Sequence, residues 1–175
     1  MRVISGKYKG KILKSPKSDN IRPTGDKVKQ ALYTKLQFFI KDRVVLDLFS
    51  GSGALGIEAL SRGAKKVYFV DKDYRSISLT KENLKKIEGN YKVIHSDFKN
   101  ALLSLKERIG LILVDPPYAS GYYNEILKII FDNEILEDDG IIVCEHPSDM
   151  DIICDFNQLD QKQYGTVKLT YFGKK

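Results

Sequence analysis

The most constraining feature of the sequence is residues 44–56, VVLDLFSGSGALG, where a short apolar run meets a series of glycines. An apolar run of this length that ends in glycines is typical of a buried strand in a parallel sheet. Gly51 and Gly53 allow a tight turn and a close approach of the backbone to a ligand. Residues 54–62 favour a helix with Gly63 as its C-cap. The segment therefore predicts a strand, a turn and a helix whose first N–H groups face a ligand.

Further along the chain, short apolar runs alternate with segments of helical periodicity. This alternation predicts an α/β fold with a doubly wound, mostly parallel sheet, because such crossovers are right-handed. Two strands within residues 161–172, separated at Gly165, would complete a seven-stranded Rossmann-like sheet with an antiparallel edge. The other predicted strands are 66–70, 91–94, 111–114 and 140–144, and the other predicted helices are 24–40, 74–86, 98–108, 122–131 and 149–156.

The chain of 175 residues has a length typical of one compact domain preceded by a short extension. Segments 2–5 and 11–14 flank Gly6 and Gly10, and this arrangement predicts a β-hairpin. We therefore expect a basic N-terminal extension over residues 1–22 and the main domain over residues 23–175.

Positive charge is concentrated in the N-terminal quarter. Residues 1–41 carry a net charge of +9, whereas the rest of the chain carries −3. Lys7, Lys9 and Lys11 surround Tyr8, a pattern that favours contact with phosphates and stacking on bases. The asymmetry predicts a nucleic-acid partner, with a solvated basic surface as the alternative.

Several classes of protein are disfavoured by composition. No window approaches the roughly 20 apolar residues of a membrane span, and the N-terminus lacks the apolar core of a signal peptide. Cys144 and Cys154 form neither a metal-binding spacing nor a disulfide framework. His95 and His146 are far apart in the sequence. We therefore expect a cytoplasmic protein with reduced thiols, no metal and no membrane association.

Gly51, Gly53 and Gly56 are spaced as in the dinucleotide-binding fingerprint, and Asp71 lies twenty residues after Gly51. An acid at that distance is placed to accept hydrogen bonds from a ribose diol. The pattern alone does not separate NAD from S-adenosylmethionine, since both contain adenosine. Asp47 favours S-adenosylmethionine, because a carboxylate repels a pyrophosphate and attracts a sulfonium and an amine.

Asp97 and Phe98 follow the third strand and are placed to contact the amino group and one face of an adenine. Each candidate acid has a structural alternative: Asp71 and Asp97 could instead be N-caps of the helices that follow them. The glycines could likewise form a tight turn that binds no ligand.

Residues 115–118 are Asp-Pro-Pro-Tyr and directly follow an apolar strand. Because proline lacks an N–H and has a fixed φ, Pro116 and Pro117 end the strand in a fixed backbone. The Asp115 side chain and a backbone carbonyl could then accept the two hydrogens of an exocyclic base amine, with Tyr118 stacked on the base. The alternative is a plain turn in which Tyr118 is a packing residue.

The tetrapeptide and the glycine turn together resemble class I S-adenosylmethionine-dependent amino-methyltransferases. Residues 22–24, 47–64 and 83–84 are similar to the RsmD-type bacterial 16S rRNA guanine-N2 methyltransferases, and the similarity spans residues 1–172. The resemblance implies methylation of guanine 966 in the small ribosomal subunit. It implies 16S rRNA or an assembling subunit as partner, S-adenosylmethionine as cofactor with S-adenosylhomocysteine as product, and a monomeric enzyme.

The resemblance also implies roles for individual residues. Arg22 and Thr24 would lie near the mouth of the active site and contribute to nucleic-acid binding with the three hairpin lysines. The residues implied for the cofactor are Asp47, Phe49, Gly51 and Gly53 around its methionine part, Asp71 at the ribose, and Asp97 and Phe98 at the adenine. Ser50 and Lys72 are further candidate cofactor-binding residues. The residues implied for the target base are Asp115, Pro116, Pro117 and Tyr118.

Three other functions stay open at this point. An adenine-N6 methyltransferase acting on DNA or RNA would share the fold and the tetrapeptide. An NAD-dependent dehydrogenase would share the glycine turn but would leave the tetrapeptide without a role. A non-catalytic RNA-binding module for ribosome assembly would share the basic N-terminus.

Overall fold

The computed structural model describes residues 1–16, 24–117 and 121–174. Within these residues, seven strands form one sheet that is flanked by helices on both faces. The helices are α1 Thr24–Lys35, α2 Ala54–Ser61, α3 Tyr74–Leu84, α4 Phe98–Ser104 and α5 Tyr123–Asp132, and the strands are β1 Val44–Asp47, β2 Lys66–Asp71, β3 Tyr91–His95, β4 Ile109–Val114, β5 Leu136–Pro147, β6 Asn157–Tyr164 and β7 Val167–Gly173.

The strand order is β3-β2-β1-β4-β5-β7-β6. The first five strands are parallel, whereas β7 runs antiparallel to β5 and β6 runs antiparallel to β7. This order confirms the predicted doubly wound sheet with an antiparallel edge. The strand order reverses between β1 and β4, and in such sheets ligands bind at the carboxyl edge beside that reversal.

Alternate residues of β1 face opposite layers of the core, as a strand buried on both sides requires. Val45 packs with residues of α1, α2 and α3, together with Val3 and Leu13 of the N-terminal segment. Leu46 packs with residues of α4 and α5. Two apolar layers therefore hold the sheet, and the N-terminal segment belongs to one of them.

The N-terminal hairpin is held by polar contacts as well as by this apolar layer. Arg2 and Ile12 form an antiparallel bridge. The fully buried carboxylate of Glu58, on α2, accepts hydrogen bonds from the backbone N–H groups of Ile4 and Ser5 at 2.8 and 3.0 Å. Because a buried carboxylate is costly without partners, Glu58 fixes the hairpin against α2.

Some predicted boundaries are wrong. Helix α1 ends at Lys35 rather than near residue 40, and β5 is longer than predicted. Residues 149–156 are not helical. In that segment every second residue, Ile152, Cys154 and Phe156, is more buried than its neighbours, which is typical of an extended chain. These three side chains pack on the apolar layer formed with α4 and α5. In the part of the chain described here, no helix has the length and apolar character needed to cross a membrane.

Candidate active site

The loop that follows β1, residues 48–53, forms a tight turn at the carboxyl edge of the sheet; we call it the glycine turn. The backbone N–H of Ser50 donates to the carbonyl of Val70 at 2.9 Å, which ties the turn to β2. Gly51 and Gly53 have φ angles of +53° and +79°. Side chains at these two positions would strain the backbone, so the sequence is restricted to glycine by conformation.

Three polar side chains hold the glycine turn from below. Asp71 accepts a hydrogen bond from the N–H of Gly51 at 3.0 Å, and Thr80 donates to the Gly51 carbonyl at 3.0 Å. Asn83 donates to the Ser52 carbonyl at 2.8 Å. Thr80 was not predicted from the sequence, and Asn83 entered only through the family resemblance. Both residues are polar and lie on the buried face of α3. This pattern in the sequence could have indicated their role, because a buried polar group needs a hydrogen-bond partner.

Asp47 ends β1 and is buried beneath the glycine turn. Its Oδ2 accepts a hydrogen bond from the Gly56 N–H at 2.9 Å, at the start of α2. Burial raises the pKa of Asp47 to about 7, against the lowering effect of that hydrogen bond. Asp47 is not among the described residues that line the cleft, so its predicted contact with the cofactor stays a prediction.

Asp71 ends β2, and it lines the cleft together with the next two residues, Lys72 and Asp73. The expected alternative for Asp71, a helix cap, is wrong: Asp73 caps α3 by accepting the Arg75 N–H at 2.8 Å. Asp71 instead accepts the N–H of Asp73 on Oδ1, at 2.9 Å, in addition to its bond to the turn. The carboxylate is thereby fixed at the cleft wall.

Asp97 and Phe98 are not part of the described cleft wall. Asp97 caps α4, accepting the Asn100 N–H at 3.0 Å, and this hydrogen bond lowers the pKa of Asp97. The capping alternative is therefore observed, while adenine contact stays a prediction. The Phe98 ring lies between Phe49 and Tyr122, with centroids 6.1 and 5.1 Å away. Of these rings, Phe49 faces the cleft.

The segment after β4 reaches the same cleft. Asp115, Pro116 and Pro117 all line it, and Pro116 is buried. Tyr118 lies outside the described residues, so its predicted stacking on a base stays a prediction.

Glu145 is a cleft residue that the sequence analysis missed. In the β4–β5 ladder Val114 is paired with Cys144, so the next position brings Asp115 beside Glu145. The Tyr123 hydroxyl donates to the Glu145 carbonyl at 2.7 Å and holds the end of β5 in place. The site therefore contains two carboxylates that are thirty residues apart in the sequence, a proximity created by strand register.

The cleft has a volume of about 800 Å³ and joins the glycine turn to the end of β4. Its walls are α1, the ends of β1, β2, β4 and β5, and the N-terminal segment. The residues lining it include Met1, Ser15, Asp26, Lys29, Phe49, Ser50, Gly51, Asp71, Lys72, Asp115, Pro116, Pro117 and Glu145.

Lys29 is a buried lysine in the α1 wall of the cleft. Its ammonium donates to the Arg2 carbonyl at 2.7 Å and lies 3.8 Å from the buried carboxylate of Glu58. Burial lowers the pKa of Lys29, while Glu58 opposes the shift. This buried pair joins the hairpin, α1 and α2, and it holds the N-terminal segment against the cleft.

The hairpin lysines lie at the opposite edge of the sheet. The Lys7 N–H donates to the carbonyl of Ser61, the last residue of α2, at 2.8 Å. Lys7 pairs with Glu88 and the Lys11 ammonium donates to the Lys86 carbonyl, just before β3 begins. Helices α2 and α3 begin at the carboxyl edge of the sheet, where the cleft lies, and end at the opposite edge. Because Lys7 and Lys11 contact residues at or just after the ends of these helices, they lie away from the cleft. Their predicted RNA contacts stay predictions.

The remaining predicted nucleic-acid residues stand near the start of α1. Arg22 lies outside the described residues, and Thr24 is the first residue of α1. The next two residues, Gly25 and Asp26, line the cleft. The start of α1 is therefore at the cleft mouth.

Comparisons with known proteins extend these observations. Residues 1–173 match the family described as Conserved hypothetical protein 95. Ribosomal RNA small subunit methyltransferase D of Escherichia coli strain K12 is 35% identical over 146 residues, covering 83% of this chain and 74% of that relative. The protein of the same name from Haemophilus influenzae is 31% identical over 176 residues, covering 98% and 91%. The solved structure of Escherichia coli yhhF has a TM-score of 0.88 at 31% identity, covering 99% and 98%.

Proposed function

The chain belongs to the Conserved hypothetical protein 95 family, which includes ribosomal RNA small subunit methyltransferase D, and we propose that it methylates ribosomal RNA with S-adenosylmethionine. The proposed target is the N2 amine of a guanine in 16S rRNA, by resemblance guanine 966. The substrate is either free 16S rRNA or an assembling small subunit, on which the enzyme acts as a cytoplasmic monomer.

One observation carries this proposal. The segment of Asp115, Pro116 and Pro117 after β4 and the glycine turn after β1 line a single cleft at the switch point of the sheet. A methyl donor held at the glycine turn and a base amine held at Asp115 would therefore meet in one cleft. Holding two reactants in this way supplies much of the rate enhancement of a transfer reaction.

The residues of the cleft fit S-adenosylmethionine. A Cβ placed on Gly51 would have no atom within 4 Å, so the open space beside the turn is available to a ligand. The carboxylate of Asp71 is fixed at the wall, where it can accept hydrogen bonds from ribose hydroxyls. The cleft volume falls within the range of roughly 300–1,000 Å³ found for small-molecule sites. When bound, the cofactor supplies an electrophilic methyl group.

Asp115 and Pro116 would prepare the amine for reaction. The lone pair of an exocyclic base amine is delocalised into the ring, so the amine is a poor nucleophile. The Asp115 carboxylate and the Pro116 carbonyl can each accept one amine hydrogen and fix the orientation of the lone pair. As the nitrogen becomes cationic, the Asp115 carboxylate stabilises the transition state more than the ground state and accepts the released proton.

Glu145 supports guanine rather than adenine as the target. Guanine presents two kinds of donor on its pairing edge, the N1–H and the N2 amine, whereas adenine presents an acceptor at N1. Asp115 and Glu145 both line the cleft, and two carboxylates can accept from two donors, whereas a carboxylate facing an acceptor gains no hydrogen bond and is repelled. We therefore assign the N1–H contact to Glu145 within this proposal.

The test is the modification pattern of 16S rRNA in cells that lack this gene. We expect mass mapping to reveal the loss of one N2-methylguanine, restored by the wild-type gene and not by the Asp115→Ala variant. An unchanged pattern, or restoration by the variant, would reject the proposed reaction; the second outcome would favour a non-catalytic role in assembly.

A further inference from the structure

A second concave surface lies on the far side of α1 from the cleft. It is formed by one face of α1 and one face of β6, with Tyr171 of β7 at its floor, and encloses about 520 Å³. We call it the α1–β6 groove, and its charged and aromatic residues are Lys27, Lys35, Asp160, Lys162, Tyr164 and Tyr171.

The α1–β6 groove begins at the edge of the sheet where the cleft opens. Helix α1 starts there, since Gly25 and Asp26 line the cleft while the next residue, Lys27, lines the groove. Strand β6 ends at the same edge, because Tyr164 and Pro147, the last residue of β5, both pair with Val167. One helix thus separates the groove from the cleft.

The groove is positively charged. Lys35 pairs with Asp160, and its ammonium lies 4.9 Å from the centroid of the Tyr171 ring. Lys27 and Lys162 are exposed, and neither forms an ion pair with a carboxylate among the described residues. These two ammonium groups are therefore available to an anion, unlike those of Lys7 and Lys11, which bind acceptors of their own chain.

An aromatic side chain lies beside one of these lysines. Tyr164 is half-buried at the end of β6, and the Lys162 ammonium lies 5.7 Å from its ring centroid. Grooves that bind single-stranded nucleic acid combine cationic side chains along the backbone with aromatic rings on which bases stack. The α1–β6 groove combines both features beside the cleft.

We propose that the α1–β6 groove binds a single-stranded RNA segment that flanks the target base. This inference rests on the proposed function, because a base that enters the cleft must come from an unpaired loop or be flipped out of a helix. The flanking strand then continues across the protein surface at the cleft mouth. Lys27 and Lys162 contact its phosphates, and Tyr164 stacks on one of its bases.

The test compares three proteins in RNA binding at several salt concentrations. The probes are 16S rRNA transcribed in vitro and a single-stranded RNA of roughly 10 nucleotides. The groove variant is Lys27→Ala/Lys162→Ala, and the control with equal charge loss is Lys81→Ala/Lys85→Ala, both exposed on α3 or just after it. We expect the groove variant alone to bind more weakly and to have a salt slope shallower by about 1.4, at about 0.7 per single-strand phosphate.

Tyr164 gives an independent readout. We expect Tyr164→Ala to weaken RNA binding by roughly 5- to 150-fold and Tyr164→Phe to bind as the wild type does, since stacking needs the ring alone. Cofactor affinity, measured by calorimetry, should be the same in all variants, which checks their folding. Wild-type affinity and salt slope in Lys27→Ala/Lys162→Ala would overturn the groove assignment. Failure of the wild type to methylate 16S rRNA would instead reject the proposed function.

Discussion

Asp71 and Gly51 are joined by a hydrogen bond of 3.0 Å, from the backbone N–H of Gly51 to Oδ2 of Asp71. The residue that ends β2 therefore holds the turn that follows β1. The other oxygen of Asp71 accepts the Asp73 N–H, so both oxygens are ordered by the backbone. Asp71 also lines the cleft, so its carboxylate would lose little entropy on accepting hydrogen bonds from a ribose, as we propose.

Replacement of Asp71 by Ala should weaken binding of S-adenosylmethionine and S-adenosylhomocysteine. Loss of a charge-assisted acceptor costs about 1.5–3 kcal/mol, or a 10- to 150-fold loss of affinity by calorimetry. Asp132→Ala, which removes an exposed carboxylate paired with Lys128, is the control and should bind normally. Tight binding of NADH by the wild type without binding of S-adenosylmethionine would contradict the cofactor assignment.

Replacement of Asp115 by Asn should slow methyl transfer by roughly 10²–10³-fold, because the amide keeps an acceptor but loses the charge that stabilises the cationic nitrogen. Asp115→Ala should be slower still. Single-turnover transfer to 16S rRNA measures this effect, with cofactor affinity as the control. Near-normal transfer by Asp115→Ala would place the catalytic group elsewhere.

Replacement of Glu145 by Ala should reduce kcat/KM for the RNA by roughly 10- to 150-fold, since the guanine N1–H would lose a charged acceptor. Partial recovery is expected for Glu145→Gln, which retains a carbonyl acceptor. The wild type should have a low kcat/KM for RNA with N1-methylguanine at the target. The Glu145→Ala variant should have the same kcat/KM for this RNA as for unmodified RNA. If the two losses multiply instead, Glu145 does not contact N1.

Asp47 should make stability depend on pH. Its folded pKa of about 7 lies above the usual 3.8, so the folded state binds the proton more tightly than the unfolded state. The resulting stabilisation is full below about pH 4 and is lost as pH rises to about 7, by up to about 1.4 kcal/mol per pH unit. Asp47→Asn imitates the neutral form. Urea unfolding from pH 4 to 8 should reveal a wild-type stability that declines relative to this variant, and a constant difference would contradict the shift.

The hairpin lysines should contribute less to RNA binding than the α1–β6 groove does. Lys7 and Lys11 contact Glu88 and the Lys86 carbonyl at the edge away from the cleft. The Lys7→Ala/Lys9→Ala/Lys11→Ala variant should therefore change the salt slope by less than the value of about 1.4 that we expect for the groove variant. If the hairpin variant changes the salt slope more than Lys27→Ala/Lys162→Ala does, the hairpin is the main RNA-binding surface.

The sequence by itself determined the order of the seven strands and five helices that the structure describes, apart from residues 149–156, and the places where ligand chemistry could reside. These features follow from local patterns: apolar runs form the buried strands, and Gly51 and Gly53 supply backbone angles that other residues avoid. A parallel sheet then brings strand ends to one edge, so Asp71 and Asp115 could be expected near the glycine turn.

The tertiary structure decided which side chains share a surface, because register and packing depend on residues far apart in the chain. The β4–β5 register placed Glu145 beside Asp115, and packing buried Asp47, whose carboxylate accepts a hydrogen bond from the Gly56 N–H of α2. The net charge of residues 1–41 was evident from the sequence, but only the packing of the hairpin and α1 separated Lys7 from Lys27 across the sheet. Composition gives the amount of charge, whereas the fold determines the edge at which a partner meets it.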